Sequence, residues 1–349
     1  MINKIAITGG TGVLGPLLIK DLLKTDAKLS LLVRKPSFKK ALDLVKDISK
    51  SHANASENIE IITCDLTEEN LGLSQKEYES LANNTLQILH VAASTRFNLP
   101  IEEARRNNVI PTKNMLLFAR NCKNLTRFGM VSTAYVAGKR TGIILENEFE
   151  HNEGFLNTYQ QSKYEAEALV RAYKSTFPII IFRPSIVVTP YNISSESPVS
   201  ALTMGVMLAR KGFLPVLPGH ETCRLDVISA GFVSSSIISL FLNSKEEFST
   251  YHITSFKMAP QVKDIISLIE TKYNKKLPVR FAGDIDSFHK QLKQITTFRP
   301  DLKVIYNKTQ SFLPELAFPK EFSNKNLLDE LQLKNIPESP IEEVKGLFK

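Results

Sequence analysis

Two tyrosine–lysine pairs with a four-residue spacing are candidates for proton chemistry: Tyr135 with Lys139, and Tyr159 with Lys163. Residues i and i+4 share a face only on a helix. Tyr135 is followed by Ala137-Gly138, a poor helical start. Tyr159 opens Tyr159-Gln160-Gln161-Ser162-Lys163-Tyr164-Glu165-Ala166-Glu167-Ala168-Leu169, a run of strong helix formers. Tyr159 and Lys163 should therefore project together. Such a pair suits reduction of a carbonyl. Hydride delivery leaves an oxyanion that must be protonated, and a free phenol, with pKa about 10, exchanges protons poorly at neutral pH. A neighbouring ammonium is expected to lower that pKa. A hydroxyl from a second direction would steady the carbonyl oxygen. Ser132 and Thr133, just after the predicted strand 127–131, are placed for this.

The hydride donor has a signature of its own. Thr8-Gly9-Gly10-Thr11-Gly12-Val13-Leu14-Gly15 follows the apolar run Ile5-Ala6-Ile7 and opens a helix. Gly9 permits a tight turn, Gly12 lets backbone approach a pyrophosphate, and Gly15 lets helix and strand pack closely. The anion then meets free N–H groups and the helix dipole. Pro16 suits a first helical turn, where its missing N–H costs nothing. After the second strand, an NAD-preferring site would carry Asp or Glu for the ribose hydroxyl. This chain has Arg34 and Lys35 instead, which suit a 2′-phosphate. The expected cofactor is NADP(H).

The elements that must position these groups alternate regularly. Short apolar strands are predicted at 5–7, 29–33, 59–62, 86–91, 127–131 and 179–182. Helices are predicted at 14–23, 39–50, 75–82, 101–121 and 158–173, with a polar loop at 51–58. That order predicts an α/β fold, a doubly wound Rossmann parallel sheet. Residues 227–242 read as a further helix and 251–254 as a returning strand. A Rossmann domain is thus expected over 1–189 plus 226–257. A smaller C-terminal substrate-binding cap is expected over 190–225 plus 258–349. Its apolar residues Leu202, Met204, Val206, Met207, Phe213, Leu214, Val216 and Leu217 could line an acyl pocket or simply form core.

Composition narrows the function classes. The net charge of +8 favours anionic partners, including coenzyme A, acyl carrier proteins and acidic lipid. The lysines are dispersed and lack aromatic interleaving, so nucleic acid is not expected. Cys64, Cys122 and Cys223 lie far apart with no Cys/His cluster, so no metal is expected. An odd, unframed cysteine count and a direct run from Met1-Ile2-Asn3-Lys4 into a strand point to the cytoplasm. The longest apolar helical stretch is too short to span a bilayer. The positive surface permits peripheral membrane contact without requiring it. His220 and His252 stand alone and read as structural. Oligomeric state is not legible.

Taken in order, TGGTGVLG, Asp65-Leu66, His90-Val91-Ala92-Ala93-Ser94-Thr95, Asn108-Val109, Val131-Ser132-Thr133-Ala134-Tyr135-Val136, Tyr159-x-x-x-Lys163 and Arg183-Pro184-Ser185 resemble the extended short-chain dehydrogenase/reductases. The resemblance covers about residues 1–255. HVAASTRF, VSTAYV and YQQSKYEAE most resemble the branch of fatty acyl-CoA reductases (male-sterility type) and thioester reductases. That branch implies NADPH-dependent reduction of an acyl thioester, bound to coenzyme A or a carrier, to aldehyde or alcohol. It implies Thr133, Tyr159, Lys163 and Asn108 as catalytic, with Ser132 beside them. Thr8, Gly9, Thr11, Gly12, Val13, Leu14, Gly15, Arg34, Lys35, Asp65, Leu66, Ala92, Ala93, Ser132, Tyr159, Lys163, Pro184, Ser185 and Val187 would contact the cofactor. Two departures fall on the substrate side. Thr189-Pro190 replaces a Gly-Pro, and Ser229-Ala230-Gly231-Phe232-Val233 lacks the aspartate of the usual P-V-D-Y-V. Two other readings use the same scaffold. One is a nucleotide-sugar epimerase or dehydratase, or a hydroxysteroid or flavonol-type dehydrogenase. The other is a non-catalytic NADP-sensing or scaffold protein.

Overall fold

The computed structural model describes residues 4–52, 54–189 and 201–347. The first half runs β1 (Lys4–Thr8), α1 (Gly15–Leu22), β2 (Lys28–Val33), α2 (Phe38–Ser49), the single turn α3 (Ala55–Asn58), β3 (Ile59–Thr63), α4 (Gln75–Asn84), β4 (Gln87–His90), α5 (Ile101–Asn121) and β5 (Arg127–Val131). There follow β6 (Gly142–Ile144), α6 (Thr158–Ala172), β7 (Ile179–Pro184), β8 (Ile186–Val188), α7 (Ala201–Arg210), β9 (Val216–Leu217), β10 (Val227–Ser229), α8 (Ala230–Asn243) and β11 (Phe248–Ile253). The last part holds α9 (Val262–Tyr273), β12 (Arg280–Phe281), α10 (Ile285–Phe298), α11 (Pro300–Thr309), β13 (Lys320–Phe322), α12 (Lys325–Glu330) and α13 (Pro340–Gly346).

Seven strands form one parallel sheet in the order β11-β7-β5-β4-β1-β2-β3. Helices cover both faces, so the central strands are buried; all six residues of β7 are buried, Arg183 among them. The strand order reverses between β1 and β4, which opens the crevice where α/β sheets take ligands. The doubly wound fold expected from the alternating pattern is the fold observed.

Local differences have local causes. Residues 227–229 are a strand beside β8, not the start of a helix. The helix begins one residue later because the Ser229 hydroxyl caps it, accepting from Phe232 N at 3.0 Å. The polar stretch expected as loop contains the turn α3. Leu202, Val206, Leu214, Leu217, Ile265 and Leu316, all in the segments expected as cap, form one buried apolar cluster together with Val188 and Val227. That cluster consumes much of the stripe that could have lined an acyl pocket, while Met207 faces solvent. Within the segment expected to be cap, the chain comes back beside the first half, forming a separate two-stranded sheet there. β13 pairs with β6, and Leu327 and Ile336 are buried in the apolar cluster of the Rossmann sheet.

Candidate active site

The glycine turn between β1 and α1 is sterically obligatory. Gly9 has φ +73°, and a Cβ there would sit 2.7 Å from Ala92 N. A Cβ at Gly15 would lie 2.2 Å from the Gly10 carbonyl oxygen. Gly12 N donates to Gly9 O at 2.9 Å and closes the turn. Among the described residues the N–H groups of Val13, Leu14 and Gly15 have no backbone acceptor, and Gly12 and Val13 face solvent. An open turn of free donors at the start of α1, with Thr11 alongside, fits a pyrophosphate.

A buried hydrogen-bond chain ties this turn to the helices behind it. Thr8 Oγ1 accepts from Val91 N and Ala92 N, both at 3.1 Å, and lies 2.8 Å from His90 Nδ1. Thr112 Oγ1 donates to Asn108 O at 2.7 Å, so it accepts from His90 Nε2 at 3.1 Å. The imidazole is thereby the Nε2–H tautomer, with Nδ1 accepting from Thr8. Burial, aided by the charge of Lys163, pushes His90 down to about 3, so it stays neutral. Asn108 Oδ1 accepts from Ser94 N at 2.7 Å, and Nδ2 donates to Ser94 O and, at 2.9 Å, to Ser162 Oγ. Every hydrogen bond of the Asn108 side chain thus goes to Ser94 and Ser162 rather than to Tyr159 or Lys163.

Tyr159 and Lys163 sit on α6, capped by Asn157 Oδ1 accepting from Gln160 N at 2.9 Å. Thr133 follows β5; its hydroxyl donates to Pro184 O at 3.4 Å and accepts from Tyr135 N at 3.3 Å. Burial pushes the Tyr159 phenol up to about 12 against the opposing influence of Thr133. The expectation of a lowered phenol pKa does not hold in this arrangement. The Lys163 ammonium donates to Val131 O at 2.8 Å, and burial of the phenol dominates. Burial also lowers Lys163 to about 8, with Glu167 pulling the other way.

Glu167 lies one helical turn beyond Lys163, fully buried, and sequence reasoning assigned it no role. It accepts from Ser132 Oγ at 2.6 Å, Arg183 Nη2 at 2.6 Å and Arg171 Nε at 2.9 Å. Burial alone would raise its pKa; the two guanidinium groups and Ser132 outweigh that and hold it at about 2. Arg183 reaches on to Glu148 O and to His252 Nε2 at 3.2 Å, while His252 Nδ1 donates to Ser323 O. Glu146 is buried and accepts from the N–H groups of His252, Asn326 and Leu327. Asp226 is buried and accepts from Ser255 N and Phe256 N at 2.7 and 2.9 Å. It holds Phe256 in a left-handed conformation, φ 48°. The Tyr-x-x-x-Lys-x-x-x-Glu spacing was the available signal for Glu167; nothing local pointed to its arginine partners.

The remaining candidates line the same sheet edge. Arg34 and Lys35 are exposed after β2, and the charge of Arg34 acts on Asp65 after β3. Asp65 is held below the usual carboxylate range chiefly by hydrogen bonds from Thr67, and Leu66 beside it is buried. Ala92 and Ala93 follow β4, Pro184 ends β7, Ser185 is buried and Val187 lies in β8. Of the cap cations, Arg224 is tied to Ala259 O and Arg210 stacks on Tyr273. Among the described residues, no group of three or more His, Cys, Asp or Glu could hold a metal ion, and no helix is long and apolar enough to cross a membrane.

A glycine turn after β1 and a tyrosine–lysine pair on α6, both on one doubly wound parallel sheet, define the class of NAD-binding Rossmann domains. Within it, residues 7–237 match the NAD-binding family described as male sterility protein, and the chain belongs to that family. It is 30% identical over 224 residues to "Fatty acyl-CoA reductase wat" of Drosophila melanogaster, and 30% over 222 residues to "Fatty acyl-CoA reductase 1" of Mus musculus. Each alignment covers 53% of this chain and 43% of the relative, so the matched part is less than half of those proteins. Among solved structures, the terminal R domain of the myxalamid PKS-NRPS pathway superposes with TM-score 0.80 at 23% identity, over 99% of this chain and 90% of that one. MoeE5 in complex with UDP-glucuronic acid and NAD gives 0.67 at 14% identity, over 99% and 98%. Both structural likenesses concern the fold.

Proposed function

We propose that the chain reduces an acyl thioester, presented as acyl-CoA or on an acyl carrier protein, to an aldehyde or alcohol with NADPH. The observation that carries this reading is Tyr159 and Lys163 one turn apart on α6, with the Lys163 ammonium on Val131 O at the end of β5, in the same sheet whose β1 leads into the open glycine turn. The sequence relatives named as fatty acyl-CoA reductases support the substrate class. NADPH, when bound, supplies the hydride. Arg34 and Lys35 would hold its 2′-phosphate and the N–H groups of Val13 to Gly15 its pyrophosphate. Asp65, Leu66, Ala92, Ala93, Ser185 and Val187 would flank the rest of the groove.

Thr133 orients the thioester carbonyl oxygen. Tyr159, protonated at neutral pH because burial holds its phenol high, gives that oxygen its proton. The hemithioacetal so formed releases the thiol and leaves the aldehyde. Lys163, held by Val131 O, keeps a positive charge beside the developing phenolate. Asn108 acts one step back, clamping the Ser94 loop to α6. A cytoplasmic setting belongs to this reading and is supported by three free, buried cysteines.

The test is NADPH oxidation against acyl-CoAs of several lengths and an acylated carrier, with UDP-sugars and free ketones as controls. Turnover of a thioester with release of free thiol is expected. The same fold carries other chemistries, so nucleotide-sugar conversion is the control class of the test. Sugar-nucleotide conversion without thioester turnover would overturn the thioester reading.

A further inference from the structure

Tyr159 stands on the first turn of α6, and that turn is held from the cap. Gln160, 2% exposed, donates from Nε2 to Glu315 Oε2 at 2.8 Å, while its Oε1 accepts from Leu156 N at 3.0 Å. Asn157, whose Oδ1 caps the helix, spends its Nδ2 on Ser311 O at 2.9 Å. The other oxygen of Glu315 pairs with Lys320, whose side chain is 3% exposed. Residues 311–320 thus form a strap with fixed points on three bodies. It meets the catalytic helix through Asn157 and Gln160. It meets the Rossmann edge through Pro319 O, which accepts from Gly142 N at 2.9 Å. It meets the cap body at Leu316 O, against which a Cβ on Gly219 would sit at 2.0 Å. A small cavity bounded by Tyr135, Asp226, Glu315 and Lys320 lies alongside the strap.

We infer that Glu315 is a positioning residue for the proton donor. Through Gln160 it sets the first turn of α6, and so makes the placement of the Tyr159 phenol depend on the seating of the cap. Proton transfer and hydride transfer are both steep in geometry; an error near 1 Å costs up to about a hundredfold in rate. A tie one residue from the phenol, anchored in the segment expected to meet substrate, is suited to control that error. The inference rests on the reductase reading above, and its test separates the two.

Glu315 cannot simply be removed, because Lys320 would be left buried without its counter-charge. Gln160 is the better handle. Gln160→Glu sets two carboxylates against each other and leaves the Glu315–Lys320 pair in place. Adding Glu315→Gln restores one donor and one acceptor across the same gap, and the carboxylate now at 160 keeps the one negative charge that the buried Lys320 needs in the cluster. The measurements are kcat and KM for acyl-CoA, NADPH affinity by fluorescence titration, and amide hydrogen exchange of residues 158–162. In Q160E, kcat should fall at least about tenfold, with NADPH affinity within about twofold of wild type. Exchange of the first turn should quicken. In Q160E/E315Q both kcat and exchange should recover. Wild-type kcat in Q160E would overturn the inference. So would parallel loss of NADPH affinity, or no recovery in the double variant. If wild type turns over no thioester, the reductase reading fails, and the exchange data still decide the tie.

Discussion

Replacing Glu167 with Gln tests the electrostatic floor of the site. The side chain is fully buried, and so is Arg183 beside it. Its carboxyl is held at about 2, well below the ordinary 4.5 of a glutamate. At about 1.4 kcal/mol per pKa unit, that displacement corresponds to about 3 kcal/mol of stability at neutral pH. Breaking a buried ion pair by removing one partner costs about 3–5 kcal/mol, because the other charge is left uncompensated. The two routes agree in scale. For a chain of this length, about 3 kcal/mol lowers Tm by about 4 °C. The sign with pH is fixed by the direction of the shift. A depressed carboxylate stabilises fully above its unfolded pKa and loses that contribution as pH falls from about 4.5 towards about 2. Thermal unfolding between pH 7 and pH 3 should show wild type losing stability that E167Q has already lost. A double cycle with Arg183→Gln should be strongly non-additive, with about 2 kcal/mol of coupling or more. An E167Q protein within 1 °C of wild type at pH 7, as an order-of-magnitude threshold, would refute the reasoning.

Tyr159→Phe should lower kcat by about a hundredfold to ten-thousandfold, with NADPH affinity retained; titration and steady-state kinetics on one preparation check both. Because Lys163 is brought down to about 8 by burial, the reductive kcat should be flat below neutrality and fall as pH rises through about 8. A pH–rate profile with no limb there would argue against a charged Lys163 in catalysis. Arg34→Asp should shift the NADP/NAD ratio of kcat/KM towards NAD by about tenfold or more, since a charged hydrogen bond is worth about 1.5–3 kcal/mol. Gly9→Ala meets Ala92 N at 2.7 Å and forces a left-handed alanine. It should cost at least about 1–2 kcal/mol in chemical denaturation and weaken dinucleotide binding.

Much of this protein is local and therefore readable from the chain. The glycine turn is legible because only glycine tolerates those contacts and that φ. The strands and helices of the sheet are legible because burial on one or both faces writes a period into the sequence. Tyr159 and Lys163 are legible because four residues make one helical turn. Tertiary structure decided what those groups experience. It turned Lys163 onto Val131 O and raised the phenol by burial, so the pKa expected from the pair alone came out with the opposite sign. It also brought Glu167, Arg171, Arg183 and His252 together from three elements, laid β13 beside β6 and packed α12 against β11. Spacing along a chain fixes which side chains share a turn. Desolvation and long-range charge pairing depend on which turns are pressed together, and only the folded chain settles that.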